Sequence, residues 1–446
     1  MTKSYKSSDA SFYSSLKVAI PLMISSLSTI LMVTMDRIML SNYDIMAMNA
    51  VAVVGALVFA FDRAFTAVAA ISEVFVGQFN GAGEFHKAPI ATWQMIFFSI
   101  ASLVILIPVS IFAGPYVIPT MFFDYGIEFF QILVLCIFLA SMFAAVAGFF
   151  VGTKQTSIIA ITSLVSNVIN IILNYFLIFG VEGTIPAMGP KGAAIGTAIS
   201  LTIQFCIIFL VFLSKKQNDK YKTRIWYLDV KIMLSAFKIG VPNSISYMMN
   251  ILSSYAIMLI VSDTGAEELV TGFNICVNFN IFVFFTSDGI QKAMIGIGSN
   301  LLGAKHEDKI KSLIISGIKM QCLCLIFIAI PAFLYMDNII GLYTNDQSIY
   351  EILKTGLPWV ILYYFVDGIL WVFGCVLISG GDTKFTTFCD IFFVWSTRVL
   401  PLYILHNNIG LDIATIWQIS SLASFIMTIV FIPRFAYGKW NKLQEL

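Results

Sequence analysis

Apolar positions along this chain do not alternate with polar ones but run on without interruption. Twelve such runs cover residues 15–40, 46–79, 91–113, 127–152, 157–180, 191–213, 231–261, 269–302, 311–335, 349–379, 385–405 and 411–433. A helix needs about 20 consecutive apolar residues to cross a bilayer. Lipid admits only helices and closed barrels, and barrel strands would alternate over ~10 residues. The pattern predicts an all-α membrane protein with twelve transmembrane helices. The second, seventh, eighth and tenth runs exceed what a span needs, which predicts tilt or protrusion. The first run follows no short apolar core with a small-residue cleavage site, so it reads as a retained span.

Composition agrees with the pattern. Of 446 residues, 59% are hydrophobic and 11% are charged, against about 25% charged in soluble domains. Mean hydropathy is +0.89. The net charge of +1 leaves no basic footprint for nucleic acid. The seven cysteines all lie in apolar runs and read as small hydrophobes. No Cys/His cluster has zinc spacing. There is no HExxH, GxSxG or phosphate-binding GxxxxGK[ST] loop, which argues against an enzyme or an ATP-driven pump.

The few charges fix the orientation. Of 26 basic residues, eighteen fall in segments on the side of the N-terminus (Lys3, Lys6, Lys17, Lys87, Lys154, Lys215, Lys216, Lys220, Lys222, Arg224, Lys231, Lys305, Lys309, Lys311, Lys384, Arg434, Lys439 and Lys442). The opposite loops hold only Lys191, and the other seven lie within or at the ends of runs. The positive-inside rule then places both termini in the cytoplasm, in the plasma (inner) membrane.

The longest polar segment, around residues 214–231, divides the chain. It separates an N-terminal lobe (1–213), a linker (214–230) and a C-terminal lobe (231–446). The halves repeat. LKVAIP at 16–21 matches FKIGVP at 237–242, and GQFNGAGEFHK at 77–87 matches SNLLGAKHEDK at 299–309, offsets of 221 and 222. GTKQT at 152–156 loosely matches GDTKF at 381–385. Six spans per half makes this a parallel repeat, the kind that supports alternating access.

These blocks also resemble those of the multidrug and toxic compound extrusion (MATE) family. The pieces are AIPLMISSLSTILMVTMDRIMLSN, VFVGQFNGAG, NVINIILNYFLIFG, MGPKGAAIGTAIS and LISGGDTK, in order over essentially the whole chain. The resemblance implies two pseudo-symmetric six-helix lobes forming a V-shaped transporter. It implies antiport of cationic or amphipathic small molecules against sodium ions or protons, with no other cofactor. A two-lobed monomer suffices for that mechanism. A related lipid-linked oligosaccharide or polysaccharide flippase is the alternative. Its pyrophosphate substrate calls for a basic cavity, whereas inside the membrane mainly Arg63, Arg398 and Lys292 stand against six acids, Asp36, Asp62, Glu73, Asp288, Asp367 and Asp390.

A charge inside the membrane is costly and marks a candidate site. Asp36 matches the family's first-helix aspartate. Asn170 and Asn174 share one helix face at i, i+4, and Thr197 stands where the family often has a hydroxyl. Together they form an all-oxygen set suited to sodium, while the carboxylate alone could carry a proton. Family members often have an aspartate at Asn174, so tight sodium binding is weakened here. The competing reading pairs Asp36 with Arg63 or Arg37 and leaves the asparagines as bridges between helices. Asp367 matches an acidic residue of the family's C-terminal lobe, against a plain buried pair with Arg398. Asn250 replaces a family glutamate. Glu73 and Asn250 are candidates for the substrate cavity. Asp288 and Lys292, at i, i+4, read as a self-neutralising pair. Asp390 reads as a snorkelling or capping residue. The roles of Asp62, Arg63 and Arg398 stay open. The glycine pairs Gly77/Gly81, Gly148/Gly152 and Gly192/Gly196 read as close-packing positions.

Overall fold

The computed structural model describes residues 10–344, 346–437 and 440–441. Lys3, Lys6, Lys439 and Lys442 of the charge pattern lie outside the described residues. Twelve helices are long and apolar enough to cross a membrane: α1 (Phe12–Tyr43), α2 (Ile45–Gly81), α3 (Ala88–Phe112), α4 (Thr120–Gly152), α5 (Ser157–Phe179), α6 (Pro190–Phe212), α7 (Val230–Asp263), α8 (Glu267–Gly303), α9 (Glu307–Leu334), α10 (Gln347–Ser379), α11 (Thr383–Asn408) and α12 (Ile413–Phe435). Each corresponds to one predicted run. Among the described residues there is no strand beyond an isolated bridge between Val181 and Ile185. The seven cysteines are free. α2 and α8 reach 37 residues, about 55 Å at 1.5 Å per residue, well beyond a ~30 Å hydrocarbon core.

The repeat is visible in how helices end. After α2, Gly83 turns to φ 80° and the Glu84 N–H bonds the Phe79 carbonyl at 2.9 Å. After α8, Lys305 turns to φ 59° and the His306 N–H bonds the Leu301 carbonyl at 2.8 Å. These are the same Schellman cap, 222 residues apart. α4 and α10 end alike, with Lys154 at φ 60° and Gly381 at φ 80°. Gln155 N–H bonds Phe150 O at 2.7 Å, and Asp382 N–H bonds Leu377 O at 3.0 Å. Cap for cap, Gly152 corresponds to Ser379, so the GTKQT/GDTKF match is two residues out of register.

Contacts divide the chain into two compact units, Ile24–Ser244 and Ile245–Leu446 with the residues up to Met23. Two boundaries differ from the sequence division, both two residues past a proline inside a helix, Pro21 in α1 and Pro242 in α7. The start of α1 packs within the second unit. The Ser316 hydroxyl donates to Ala10 O at 3.0 Å, and a Cβ on Gly289 would lie 2.6 Å from Met23 N. The start of α7 packs within the first, where the Ser244 hydroxyl donates to Ala64 O at 2.7 Å. The linker also belongs to the first unit. Its short helix, Lys215–Tyr221, buries Tyr221 edge-on to Phe149 at 5.2 Å and bonds Asn80 Oδ1 at 3.0 Å.

The first unit's core joins Leu40 of α1, Val54 of α2, Phe130 and Val134 of α4, and Ala194 of α6. The second unit's core joins Val261, Phe273, Leu353 and Trp417 of α7, α8, α10 and α12. Glycines set the closest approaches. A Cβ on Gly148 would sit 2.1 Å from Ser72 Oγ, on Gly152 2.7 Å from Gly77 N, and on Gly192 2.4 Å from Leu177 O. Backbones approach this closely only where no side chain intervenes, the expected use of small residues between membrane helices. Between α1 and α2, Asp44 caps the helix through Met46 N–H at 2.7 Å and accepts from Tyr125 OH at 2.9 Å. These bonds, the Tyr125 one foremost, hold its carboxyl below the usual carboxylate range.

Candidate ion-coupling site

α5 carries a polar stripe through an otherwise apolar span. Ser163, Ser166, Asn167, Asn170 and Asn174 recur at spacings of three and four, so they share one face. All five are buried, and each finds a partner on α1 or α6. Ser163 bonds Ser25 at 2.7 Å and receives Gln204 at 3.1 Å. The Asn167 amide donates to Ser28 at 2.7 Å, and the Ser166 hydroxyl to Ser200 O at 2.8 Å. In hydrocarbon such groups must be satisfied within the protein, so the stripe fixes the register of α5 against α1 and α6.

The stripe ends at Asp36. The Asn174 amide donates to Asp36 Oδ1 at 2.7 Å and to Asn170 Oδ1 at 3.1 Å. The Asn170 amide donates to Thr197 Oγ1 at 3.3 Å, and Thr197 donates to Ala193 O at 2.9 Å. The four residues predicted as one site are thus one network. Asn170 and Asn174 are fully buried, while Asp36 and Thr197 are half-buried. Asn174 Oδ1 is buried without a hydrogen-bond partner among the described residues. It lies against Gly196, where an added Cβ would be 1.9 Å away. The glycine makes room for the amide that holds Asp36.

Asp36 has no basic partner within 4.0 Å among the described residues. Arg63 instead places its guanidinium 4.8 Å from the Phe59 ring, so the buried-pair alternative is not the arrangement found. Glu73 is buried where α2 packs against α4, beside the Ser72 hydroxyl that donates to Ala145 O at 2.8 Å. It is not a member of the Asp36 network.

In the second unit, Asp367 accepts from Ser424 at 2.9 Å and from Trp371 Nε1 at 3.0 Å. Arg398 does not pair with it. Its Nε donates to Ser420 at 3.0 Å, and its guanidinium lies 5.2 Å from the Tyr363 ring. Asn250 donates to Ser246 O at 3.0 Å, and Ser246 donates to Thr387 at 3.1 Å. Ser246 and Asn250 face the Asp390 carboxylate, which is 9% exposed. Asp390 therefore does not snorkel as expected. It opens a stretch of α11 that widens into π-type turns, Asp390–Val399, a geometry common at functional sites. Lys292 pairs with Asp288 at 2.7 Å as expected.

A pair the sequence reading missed closes the same unit. Asp382, fully buried, accepts from Arg434 Nε at 2.7 Å. Removing the cation takes this bond from a buried carboxylate. Arg434→Gln is expected to destabilise the protein by about 2 kcal/mol, seen as a lower thermal midpoint in detergent, while Arg434→Lys loses less.

A family model described as MatE matches residues 21–176 and again residues 242–404. The chain belongs to the MatE family. The two matched segments of this MatE chain begin at Pro21 and Pro242, the offset of the internal repeat. It is 23% identical over 436 residues to the probable multidrug resistance protein NorM of Thermotoga maritima, covering 96% of this chain and 92% of that protein. It is 24% identical over 307 residues to the probable multidrug resistance protein YoeA of Bacillus subtilis, covering 68% of this chain and 65% of YoeA. A solved structure described as MATE in complex with MaL6 matches 98% of both chains with a TM-score of 0.87 at 16% identity. At that identity the likeness establishes the fold.

Proposed function

We propose that this MatE protein is a secondary active antiporter. It exports cationic or amphipathic small molecules from the cytoplasm by alternating access, driven by sodium ions or protons. It works as a monomer in the inner membrane with both termini cytoplasmic. The multidrug names of its relatives and the parallel repeat support export of organic compounds. The observation that carries ion coupling is Asp36. A carboxylate inside a membrane span with a single amide partner, and no cation within pairing distance among the described residues, is costly while charged. A proton or a monovalent cation removes that cost, so the state of α1 depends on which ion is bound. Asp36, Asn170 and Thr197 offer oxygens to sodium. Asn174 turns its NH2 toward Asp36, an arrangement that satisfies the carboxylate directly. Asp367 and Asn250 supply the corresponding polar groups in the second unit.

Purified protein in vesicles, with imposed sodium or proton gradients, tests the proposal against a fluorescent organic cation. Gradient-dependent movement with one ion and not the other is the expected result. Absence of movement under either gradient, with translocation of a lipid-linked sugar, would support the flippase instead.

A further inference from the structure

The run Ile225-Trp226-Tyr227-Leu228, between α6 and α7, stays 46–65% exposed although its backbone is firmly held. Gln94, fully buried in α3, donates to Tyr227 O at 2.8 Å and accepts from Asp229 N–H at 3.0 Å. Trp93 Nε1 donates to Thr223 O at 2.9 Å. Lys222, at φ 62°, ends the linker helix, and Arg224 is tied to Asn218 Oδ1 and Leu213 O. The outward display of four consecutive apolar residues is therefore specified by the fold.

Both ends of the linker join membrane spans, at Phe212 and Val230. Trp226 leans against α3, tilted to Trp93 at 6.3 Å and edge-on to Phe97 at 6.4 Å between ring centres. Trp93 lies five residues into that span, about 8 Å from its start. The run thus sits at the level where a bilayer meets water, the place tryptophan and tyrosine favour. Lys215, Lys216, Lys220, Lys222 and Arg224 precede it within the linker, all exposed, against Asp219, with the Lys220 ammonium also over the Phe85 and Tyr221 rings. Among the described residues none of the five forms an ion pair. Apolar surface beside unneutralised cations, at the edge of a span, is chemically complementary to an anionic phospholipid.

We propose that residues 215–228 form a docking site for anionic phospholipid. The apolar run enters the interface, and the five cations engage headgroup phosphates. This is independent of the ion-coupling reading, because no residue of the Asp36 network takes part.

The test reconstitutes the full chain in vesicles of phosphatidylcholine and phosphatidylglycerol, with one or the other lipid carrying brominated acyl chains. The signal of Trp226 is the difference in tryptophan quenching between wild type and Trp226→Phe. Brominated phosphatidylglycerol is expected to quench it more than brominated phosphatidylcholine at equal fraction. Glutamine at all five cationic positions removes the preference, each cation contributing up to about fivefold. About 1 M salt, where the Debye length is ~3 Å, does the same to the unmodified protein. Equal quenching by the two lipids overturns the proposal, as does a preference that survives the five substitutions. Absence of quenching together with cross-linking between copies assigns the run to a second copy. Loss of the preference on adding inorganic phosphate at low millimolar concentration, where sodium chloride of equal ionic strength leaves it intact, assigns the cations to a free anion. Either result also overturns it.

Discussion

Asp36→Asn is expected to reduce gradient-driven transport to the level of protein-free vesicles, with little loss of stability. Asparagine is nearly isosteric with aspartate. The Asn174 amide can still donate to an oxygen at position 36 across the present 2.7 Å, and the rest of the network is untouched. Only the capacity to take up a proton or balance a cation disappears. Burial of a charge in a span is costly, so the neutral side chain holds α1 permanently in the state the bound ion would create. Thermal unfolding in detergent checks the fold, and vesicle transport checks the coupling. Full gradient-driven transport by Asp36→Asn would remove this residue from the site.

Gly196→Ala is expected to do comparable functional damage from a residue that never touches an ion. Its methyl would arrive 1.9 Å from Asn174 Oδ1, which cannot stand. The colliding atom is the end of a rotatable side chain, so the amide swings aside and the fold survives at a cost of about 1 kcal/mol. The Asn174 bond to Asp36 is lost with that movement. Because the effect passes through Asn174, it is non-additive. Asn174→Ala alone gives a similar loss, and adding Gly196→Ala to it changes little further. Full additivity of the two transport defects would show that Gly196 acts by another route.

The spans were legible because bilayer thickness demands an apolar length that nothing in a 446-residue soluble chain would supply. Asn170 and Asn174 were legible for a related reason: polar groups in hydrocarbon need partners, and α5 places these two at helical spacing. The charge of Asp36 inside a span marked it as a candidate, and the family resemblance joined it and Thr197 to the asparagines. The logic of spacing applied equally to Ser163, Ser166 and Asn167, and their stripe was readable though unread. Asp390 was not legible. Its neighbours Ser246 and Asn250 come from α7, about 140 residues away, and a carboxylate near a span end looks the same in sequence whether it snorkels or is buried. The unit boundaries were equally hidden. α1 and α7 are continuous apolar runs through Pro21 and Pro242, and only packing shows that their first turns belong with the other half of the sequence. The linker looked like a polar tether because Gln217, Tyr221 and Thr223 are ordinary loop residues until their burial is seen.

Linkage offers the most direct measurement of the central claim. If substrate and coupling ion compete through Asp36, binding of one must weaken binding of the other by the same factor. Substrate added to the purified protein in weakly buffered solution should release a proton, read with a pH-sensitive dye, or sodium, read with an ion-selective electrode. The account predicts release from the wild type and none from Asp36→Asn, at substrate concentrations that saturate both. Equal release from the two proteins, or none from the wild type, would contradict it.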